Sequence, residues 1–455
     1  MRVADELVVD VAVVGTGPGG EALATRLGGA GLAVAAIESR LVGGECPYYA
    51  CVPTKAMIRA ADALAEARWV PEFAGTADVR PDWGKVAARV RAEITDDWND
   101  QVAVDRLTAA GVQVLRGAAR IVEPGVLAVG DRVVRARKGI VLNPGTDPAI
   151  PPVPGLADTP VWTNRDAVRA TAVPESLAVI GGGPVGCEFT QVFARFGAQV
   201  TLLQSNDRLL PLDEPEASAL LAERFTAEGI RVRTGVKITS AAHDGERFTL
   251  EIEGGEPVVA AQVLVAAGRK SDMAALGVGA YGLNESARGV NVDEHMRVTD
   301  GLWAIGDITG KGAFTHMSMY QAAIAAADIL GEEHPGAVYR AIPRVTFTDP
   351  EIGSVGLTEA AAREQGLNVR TGTTDLSSST RGFLHKAHGL IKVVEDADRG
   401  VLIGATSAGP TGGEVLSALV VAVHAQVPVD ELRGMIYAYP TFHRAIESAL
   451  TDLRS

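Results

Sequence analysis

Short apolar runs rich in branched residues divide the chain, and the segments between them are of several kinds. Residues 8–14, VVDVAVV, are apolar apart from Asp10 and predict a strand. A helix is predicted from Glu21 to Leu27, and a second strand from Ala33 to Ile37 ends at Glu38. The same order returns later: LAVI (177–180), a helix from Cys187 to Phe196, and a strand from Gln199 to Leu203. Leu302 to Asp307 reads as a short strand ending in Gly-Asp. Past about residue 338 the texture changes. Strands are predicted at VTFT (345–348) and LIKVVED (390–396), within alternating helical and strand segments. The proline-rich stretch PGTDPAIPPVPG (144–155) reads as a crossing between domains.

Glycines fill the gap between strand and helix in both repeats. The first is Gly15-Thr-Gly17-Pro-Gly-Gly20 and the second Gly181-Gly-Gly183-Pro-Val-Gly186. Glycine permits the tight turn and lets a pyrophosphate approach the backbone, while the helix start offers N–H groups and the positive end of its dipole. Glu38 lies about 20 residues on, where a carboxylate can accept from ribose hydroxyls. Its bland alternative is to solvate a strand end. Two such units imply two dinucleotide ligands, or an ancient duplication. The fold class expected is α/β, with two Rossmann-like dinucleotide-binding domains and a C-terminal mixed α/β domain.

Composition narrows the function. Of 455 residues, 47% are hydrophobic and 22% charged, enough apolar material for several cores. The net charge is −14 and no basic block occurs, which argues against nucleic acid or an anionic membrane as partner. No apolar run reaches the length of a membrane span. The opening residues read as a strand rather than a signal peptide. A cytoplasmic location is expected. Three cysteines exclude a disulfide scaffold, but Cys46 and Cys51 stand close together. A Cys-x4-Cys pair can close a disulfide where a loop enters a helix, and the helix start favours a thiolate. Zinc would need a second ligand cluster, which Cys187 and the scattered histidines do not supply, so no metal is expected. Cys187 reads as a small buried apolar residue.

The segment Gly43-Gly-Glu-Cys46-Pro-Tyr-Tyr-Ala-Cys51-Val-Pro-Thr-Lys55, the two glycine loops, the Gly-Asp strand and FTDPEIGSVGLTEAAAREQG (347–366) occur in a fixed order. In this the chain resembles the flavin-dependent pyridine nucleotide–disulfide oxidoreductases, the family of dihydrolipoamide dehydrogenase, glutathione reductase and mercuric reductase. The resemblance implies a first part of an FAD domain over 1–150 and an NAD(P) domain over 151–270. It implies the second part of the FAD domain over 271–338 and an interface domain over 339–455. It also implies a homodimer whose active site is shared between subunits. Gly15, Gly17, Gly20 and Glu38 would hold the adenosine half of FAD, and Gly306 and Asp307 its ribityl and phosphate portion. Gly44, Gly117, Ala118, Gly145, Gly268 and Arg269 are further cofactor positions that the resemblance implies. Gly181, Gly183, Gly186 and Gln204 would hold NAD(H) or NADP(H). Cys51 would face the flavin and Cys46 would be the interchange thiol. Lys55 would pair with Glu188 beside the flavin's reactive edge, unless it is a plain surface lysine.

Some positions depart from the family. Many members carry His-Pro-Thr-x-x-Glu near the C-terminus, where this chain has Tyr439-Pro440-Thr441-Phe442-His443-Arg444. Thiol–disulfide exchange uses a base for the attacking thiol and an acid for the leaving sulfur. Tyr439, the catalytic candidate at that position, is a poor base at neutral pH but could still donate a hydrogen bond. His443 is offset by four residues and is not promoted to the role. The final residues, LTDLRS, hold no cysteine pair, and no metal-binding domain is read before the first glycine segment, so mercury is not favoured as substrate. Tyr48 and Tyr49 are read as packing residues, with a flat surface for a quinone as the alternative. Gly186 is the form usual for NAD, but the strand that should end in an acid ends in Gln204-Ser205, and Arg208 is close. The reading leans slightly to NADH over NADPH. Three functions stay open: oxidoreduction of a disulfide or dithiol small molecule, reduction of a non-thiol acceptor such as a quinone or metal ion, and redox sensing.

Overall fold

The computed structural model describes residues 6–454. The chain divides into two compact units. The first comprises Met1–Pro53, Ala88–Ala149 and Arg269–Val338. Its centre is a sheet whose strands run in the order Arg297–Thr299, Leu302–Ala304, Arg132–Leu142, Glu6–Val14, Val34–Glu38, Val112–Arg116. Neighbours in this order are parallel except the first pair, and Ala119–Glu123 and Val126–Val129 add an antiparallel extension on Arg132–Leu142. Val9 and Val11 to Val14 are buried, because parallel strands carry helices on both faces. The helices Pro18–Gly29 and Thr315–Leu330 cross so closely that a Cβ on Gly19 would collide with Ser318.

The second unit comprises Thr54–Ala87, Ile150–Gly268 and Tyr339–Ser455. It holds a four-stranded parallel sheet in the order Arg231–Arg233, Gln199–Leu203, Ser176–Ile180, Gln262–Val265. A three-stranded antiparallel sheet accompanies it. It also holds a five-stranded antiparallel sheet: Pro343–Thr346, Glu351–Gly356, Val401–Gly409, Leu390–Asp396, Val369–Asp375. Leu416, Leu419 and Val423 of the helix Gly412–Ala425 pack on this sheet with Ile446 and Leu450. The α/β class expected from the sequence is found. Helix boundaries move: the two helices after the glycine loops begin at Pro18 and Pro184, not at Glu21 and Cys187. Proline at the first position suits a helix start, since its missing N–H needs no partner there. The strand expected to run to Asp307 stops at Ala304, and a 3-10 turn, Gly306–Thr309, takes the Gly-Asp pair.

Buried ion pairs tie the parallel and antiparallel sheets of this unit together. Lys392, 3% exposed, contacts Glu214, Glu216 and Glu359 at 2.7 to 3.0 Å. Arg195 is buried against Asp62, Glu228 and Asp349. No described helix is long and apolar enough to cross a membrane.

Candidate active site

In the first unit, Gly15 has φ +89°, and a Cβ there would strike the carbonyl oxygen of Asn143. A Cβ on Gly20 would strike the carbonyl oxygen of Gly15. Gly17 stands at the N-cap of Pro18–Gly29, and no side chain caps this helix start. Uncapped N–H groups beside a glycine-rich turn suit an anionic phosphate. Glu38 is buried and turned toward this loop. Its Oε2 accepts from the Thr16 N–H and Oγ1 at 2.9 and 2.8 Å, and its Oε1 from the Arg40 N–H at 2.8 Å. A carboxylate has about four acceptor sites, so capacity remains for a ribose hydroxyl.

Neighbouring residues extend this cradle. Gly44 (φ +72°) lies against Gly17, where a Cβ would crowd its Cα. Gly117 donates its N–H to the Glu38 carbonyl at 2.9 Å, and the exposed Ala118 follows it. Buried Asn143 donates to the Gly15 carbonyl at 3.3 Å and accepts from Ser318 Oγ at 3.1 Å. Gly306 donates its N–H to Gln321 Oε1 at 2.7 Å. Asp307 accepts from Thr146 Oγ1 at 2.6 Å, and Thr146 accepts in turn from Arg269 Nε at 2.7 Å. Arg269 also stands 3.6 Å from the Glu45 carboxylate, beside Cys46. Gly145 accepts from Ser271 Oγ at 3.0 Å.

Cys46 sits in the short helix Glu45–Tyr48, and Cys51 is the first residue of the helix Cys51–Phe73. Both are half-buried. The Cys51 sulfur lies 3.3 Å from Thr315 Oγ1. Tyr48 and Tyr49 are buried. They pack, and so buried they offer no flat surface to a quinone.

In the second unit, Lys55 Nζ meets both carboxylate oxygens of Glu188, at 3.0 and 2.8 Å. Glu188 is 5% exposed, so its charge requires this partner. Lys55 also faces the Phe347 ring, 4.5 Å from its centroid, while the Phe347 N–H donates to Glu188 Oε1 at 3.0 Å. Lys55 is therefore no plain surface lysine. About one turn further along, Gln191 exchanges hydrogen bonds with the Asp349 backbone, at 2.9 and 2.7 Å, and about one turn beyond it Arg195 takes the Asp349 carboxylate at 2.6 Å. Burial lifts the Asp62 carboxyl to about 6 although Arg195 pulls it down.

The second glycine loop copies the first. Gly181 has φ +113°, a Cβ on it would strike the Ala266 carbonyl, and a Cβ on Gly186 would strike that of Gly181. Gly183 is the N-cap of Pro184–Arg195, where no side-chain cap forms. Gln204 is buried and turned inward; its Oε1 accepts from the Gly182 and Ser205 N–H groups at 3.3 and 3.1 Å. Arg208 donates to the Pro211 and Asp213 carbonyls at 2.7 and 3.0 Å. A groove of about 720 Å³ runs beside it, lined by Leu209, Ser218, Ala222 and Val232 among others. Gly268 (φ +126°) ends this segment with open space where a Cβ would stand. Cys187 is fully buried, which pushes its thiol well above the usual range.

Tyr439 is 67% exposed and hydrogen-bonded through its hydroxyl to Thr380 Oγ1 at 3.0 Å. Arg444 pairs with Glu447 at 2.9 Å and lies over the Tyr439 ring. His443 packs on Tyr437, 5.1 Å between ring centroids. Among the described residues, no group of three His, Cys, Asp or Glu could hold a metal ion.

Sequence reasoning missed Asn143, Thr146, Ser318, Gln191 and Phe347. Phe347 opens the segment 347–366 without its role being marked there, and the other four carry no motif; each reaches its place only through the fold.

Residues 9–327 match the family described as pyridine nucleotide-disulphide oxidoreductase, and residues 342–450 match its dimerisation domain. The chain is 35% identical to the dihydrolipoyl dehydrogenase of Thermus scotoductus, over 98% of this chain and 97% of the relative. It is 31% identical to the mercuric reductase of Streptomyces lividans, over 98% and 96%. Among solved structures, the HOCl-induced flavoprotein disulfide reductase RclA from Escherichia coli superposes with a TM-score of 0.85 at 25% identity, covering 97% of this chain and 99% of that one.

Proposed function

The chain belongs to the pyridine nucleotide–disulphide oxidoreductase family, and we propose that it passes electrons between a nicotinamide dinucleotide and a small disulfide or dithiol through Cys46 and Cys51. It is a flavin-dependent enzyme, and its family uses FAD and NAD(P)H. Bound FAD supplies a two-electron relay between the nicotinamide and the cysteine pair. The first glycine turn with Glu38 and Asp307 holds that group, and the second glycine turn holds the nicotinamide dinucleotide. Lys55, fixed by Glu188 and Phe347, would supply a positive charge to the reduced flavin.

The observation that carries the reading is the position of Cys51 at the first residue of a 23-residue helix. The helix's amino end stabilises negative charge on that sulfur. In the reduced pair, the Cys46 sulfur attacks a substrate disulfide and displaces one thiol. Cys51 then attacks the mixed disulfide, releases the second thiol and closes the Cys46–Cys51 bond. Two electrons leave the cysteines, and the two cysteine protons end on the released thiols. The family's histidine would handle those protons from the other subunit. Here Tyr439 holds that position on a shared dimer site, with its hydroxyl engaged by Thr380.

That engagement favours a second reading, reduction of a non-thiol acceptor by the flavin directly, which needs no base at residue 439. Anaerobic NAD(P)H-driven turnover of lipoamide and of a simple quinone separates them. Lipoamide reduction lost in Cys46→Ser supports the dithiol route. Quinone turnover alone, equal in the variant, removes it. A cytoplasmic dimer is the setting we propose.

A further inference from the structure

Within the first unit the backbone does something unusual beside the cysteine loop. A π-helical turn, Val90–Ile94, is followed by three successive non-glycine residues in the left-handed region. Asp96, Asp97 and Trp98 have φ of 47°, 54° and 58°. Side chains resist this conformation, and bulky ones resist it most. A set of local bonds holds it. The Thr95 hydroxyl reaches the Val90 and Arg91 carbonyls at 3.0 and 3.2 Å. Arg91 grips Asp97 with two hydrogen bonds, at 2.8 and 3.2 Å, and Asn99 reaches Asp96 at 3.2 Å.

Strain and π turns gather where a side chain must be aimed, and here the target is visible. The Trp98 indole N–H donates to the carbonyl oxygen of Tyr48 at 3.1 Å, two residues past Cys46. Two residues beyond Trp98, the Asp100 carboxylate accepts from the Val42 N–H at 2.6 Å and is itself held by Arg116 at 2.6 and 2.8 Å. Residues 98 and 100 thus fasten both ends of the loop that carries Cys46. A continued right-handed path through 96–98 would turn the indole elsewhere.

We propose that Trp98 is a positioning residue for Cys46, its indole N–H holding the loop where the Cys46 sulfur reaches Cys51. The inference rests on the reading of these cysteines as a redox pair. Closing the disulfide removes two electrons and two protons from the thiols. Its equilibrium against an external dithiol measures the effective concentration of one sulfur at the other. A loop released at Tyr48 samples positions that turn the sulfur away, so that concentration falls.

The test equilibrates the holoenzyme anaerobically with mixtures of reduced and oxidised dithiothreitol. The enzyme disulfide plus reduced dithiothreitol gives two cysteines plus cyclic oxidised dithiothreitol, and alkylation with peptide mass analysis counts the thiols. Trp98→Phe keeps a ring and loses the N–H. Its disulfide-forming constant should fall about three- to tenfold, the range for one hydrogen bond, with flavin content and thermal midpoint kept. Asp97→Ala, which frees the turn without touching the loop, should move the constant the same way, and it decides the matter if Trp98→Phe does not fold. A constant equal to wild type overturns the proposal. So does a fall matched by loss of flavin and of thermal midpoint, which marks general loosening. If the wild-type protein forms no Cys46–Cys51 disulfide at any ratio, the redox-pair reading fails first and the positioning role goes with it.

Discussion

Lys55 and Glu188 form a two-pronged ion pair, with the ammonium at 3.0 and 2.8 Å from the two oxygens of a carboxylate that is almost wholly buried. Phe347 completes it from both sides, its ring on the lysine and its N–H on the glutamate. Removing the lysine leaves a buried carboxylate with an amide donor and no countercharge, at a cost of about 3 kcal/mol. Lys55→Met should lower the thermal midpoint and slow bleaching of the flavin band by NAD(P)H at least about tenfold. A variant that bleaches at the wild-type rate would remove Lys55 from the chemistry.

Gly15 tests the first dinucleotide site. At φ +89° with a carbonyl where a Cβ would stand, Gly15→Ala must shift Asn143 and its bond to the loop. We expect the purified variant to retain less than about a tenth of the wild-type flavin per chain, since strain of about 2 kcal/mol falls directly on the cradle. Absorbance of flavin against protein is the measurement.

Gln204 tests coenzyme choice. Its amide oxygen already accepts two loop N–H groups, and a carboxylate there could do the same while repelling a phosphate. Gln204→Glu should raise the ratio of kcat/KM for NADH over NADPH about tenfold, mainly through a higher KM for NADPH. An unchanged ratio would mean that residue 204 only holds the loop.

Asp62 gives a dependence on pH. Its carboxyl titrates at about 6 in the fold against an ordinary 3.8. The folded state keeps that proton longer than the unfolded chain, so its stability falls as pH rises from about 4 to about 6 and stays lowered above. Asp62→Asn should therefore be more stable than wild type at pH 7 and nearly equal to it at pH 4. The side chain is 36% exposed, so solvent screening reduces the gain to roughly 1 kcal/mol. Thermal midpoints at the two pH values decide it; a larger gain at pH 4 would reverse the sign.

What the sequence made legible was local. The strands Gln199–Leu203 and Leu390–Asp396 are found where their apolar runs put them, because buried strands need branched residues in sequence. Glycine loops were readable because only glycine tolerates a φ such as +89° or +113° beside a carbonyl. Each of the two helices begins at a proline, three residues before the expected position. The inward turn of Gln204 and the grip of Arg208 on two carbonyls were not legible, since nothing in a residue's neighbours says which way an amide or guanidinium faces. Nothing in the sequence marks Trp98. Its partner lies 50 residues earlier, and no periodicity marks a left-handed run of Asp, Asp and Trp.

The helix Pro184–Arg195 touches the segment 347–349 at three successive rungs, through Glu188, Gln191 and Arg195. One edge of the nucleotide-binding sheet's helix is therefore a template that the segment from 339 onward must be cut to fit. A chimera that imports this segment from a relative would keep its own core intact and still misalign the lysine's countercharge, unless it also brought residues matching that template. Evolutionary exchange of such segments is thus constrained at a point that lies outside both glycine loops and the cysteine pair.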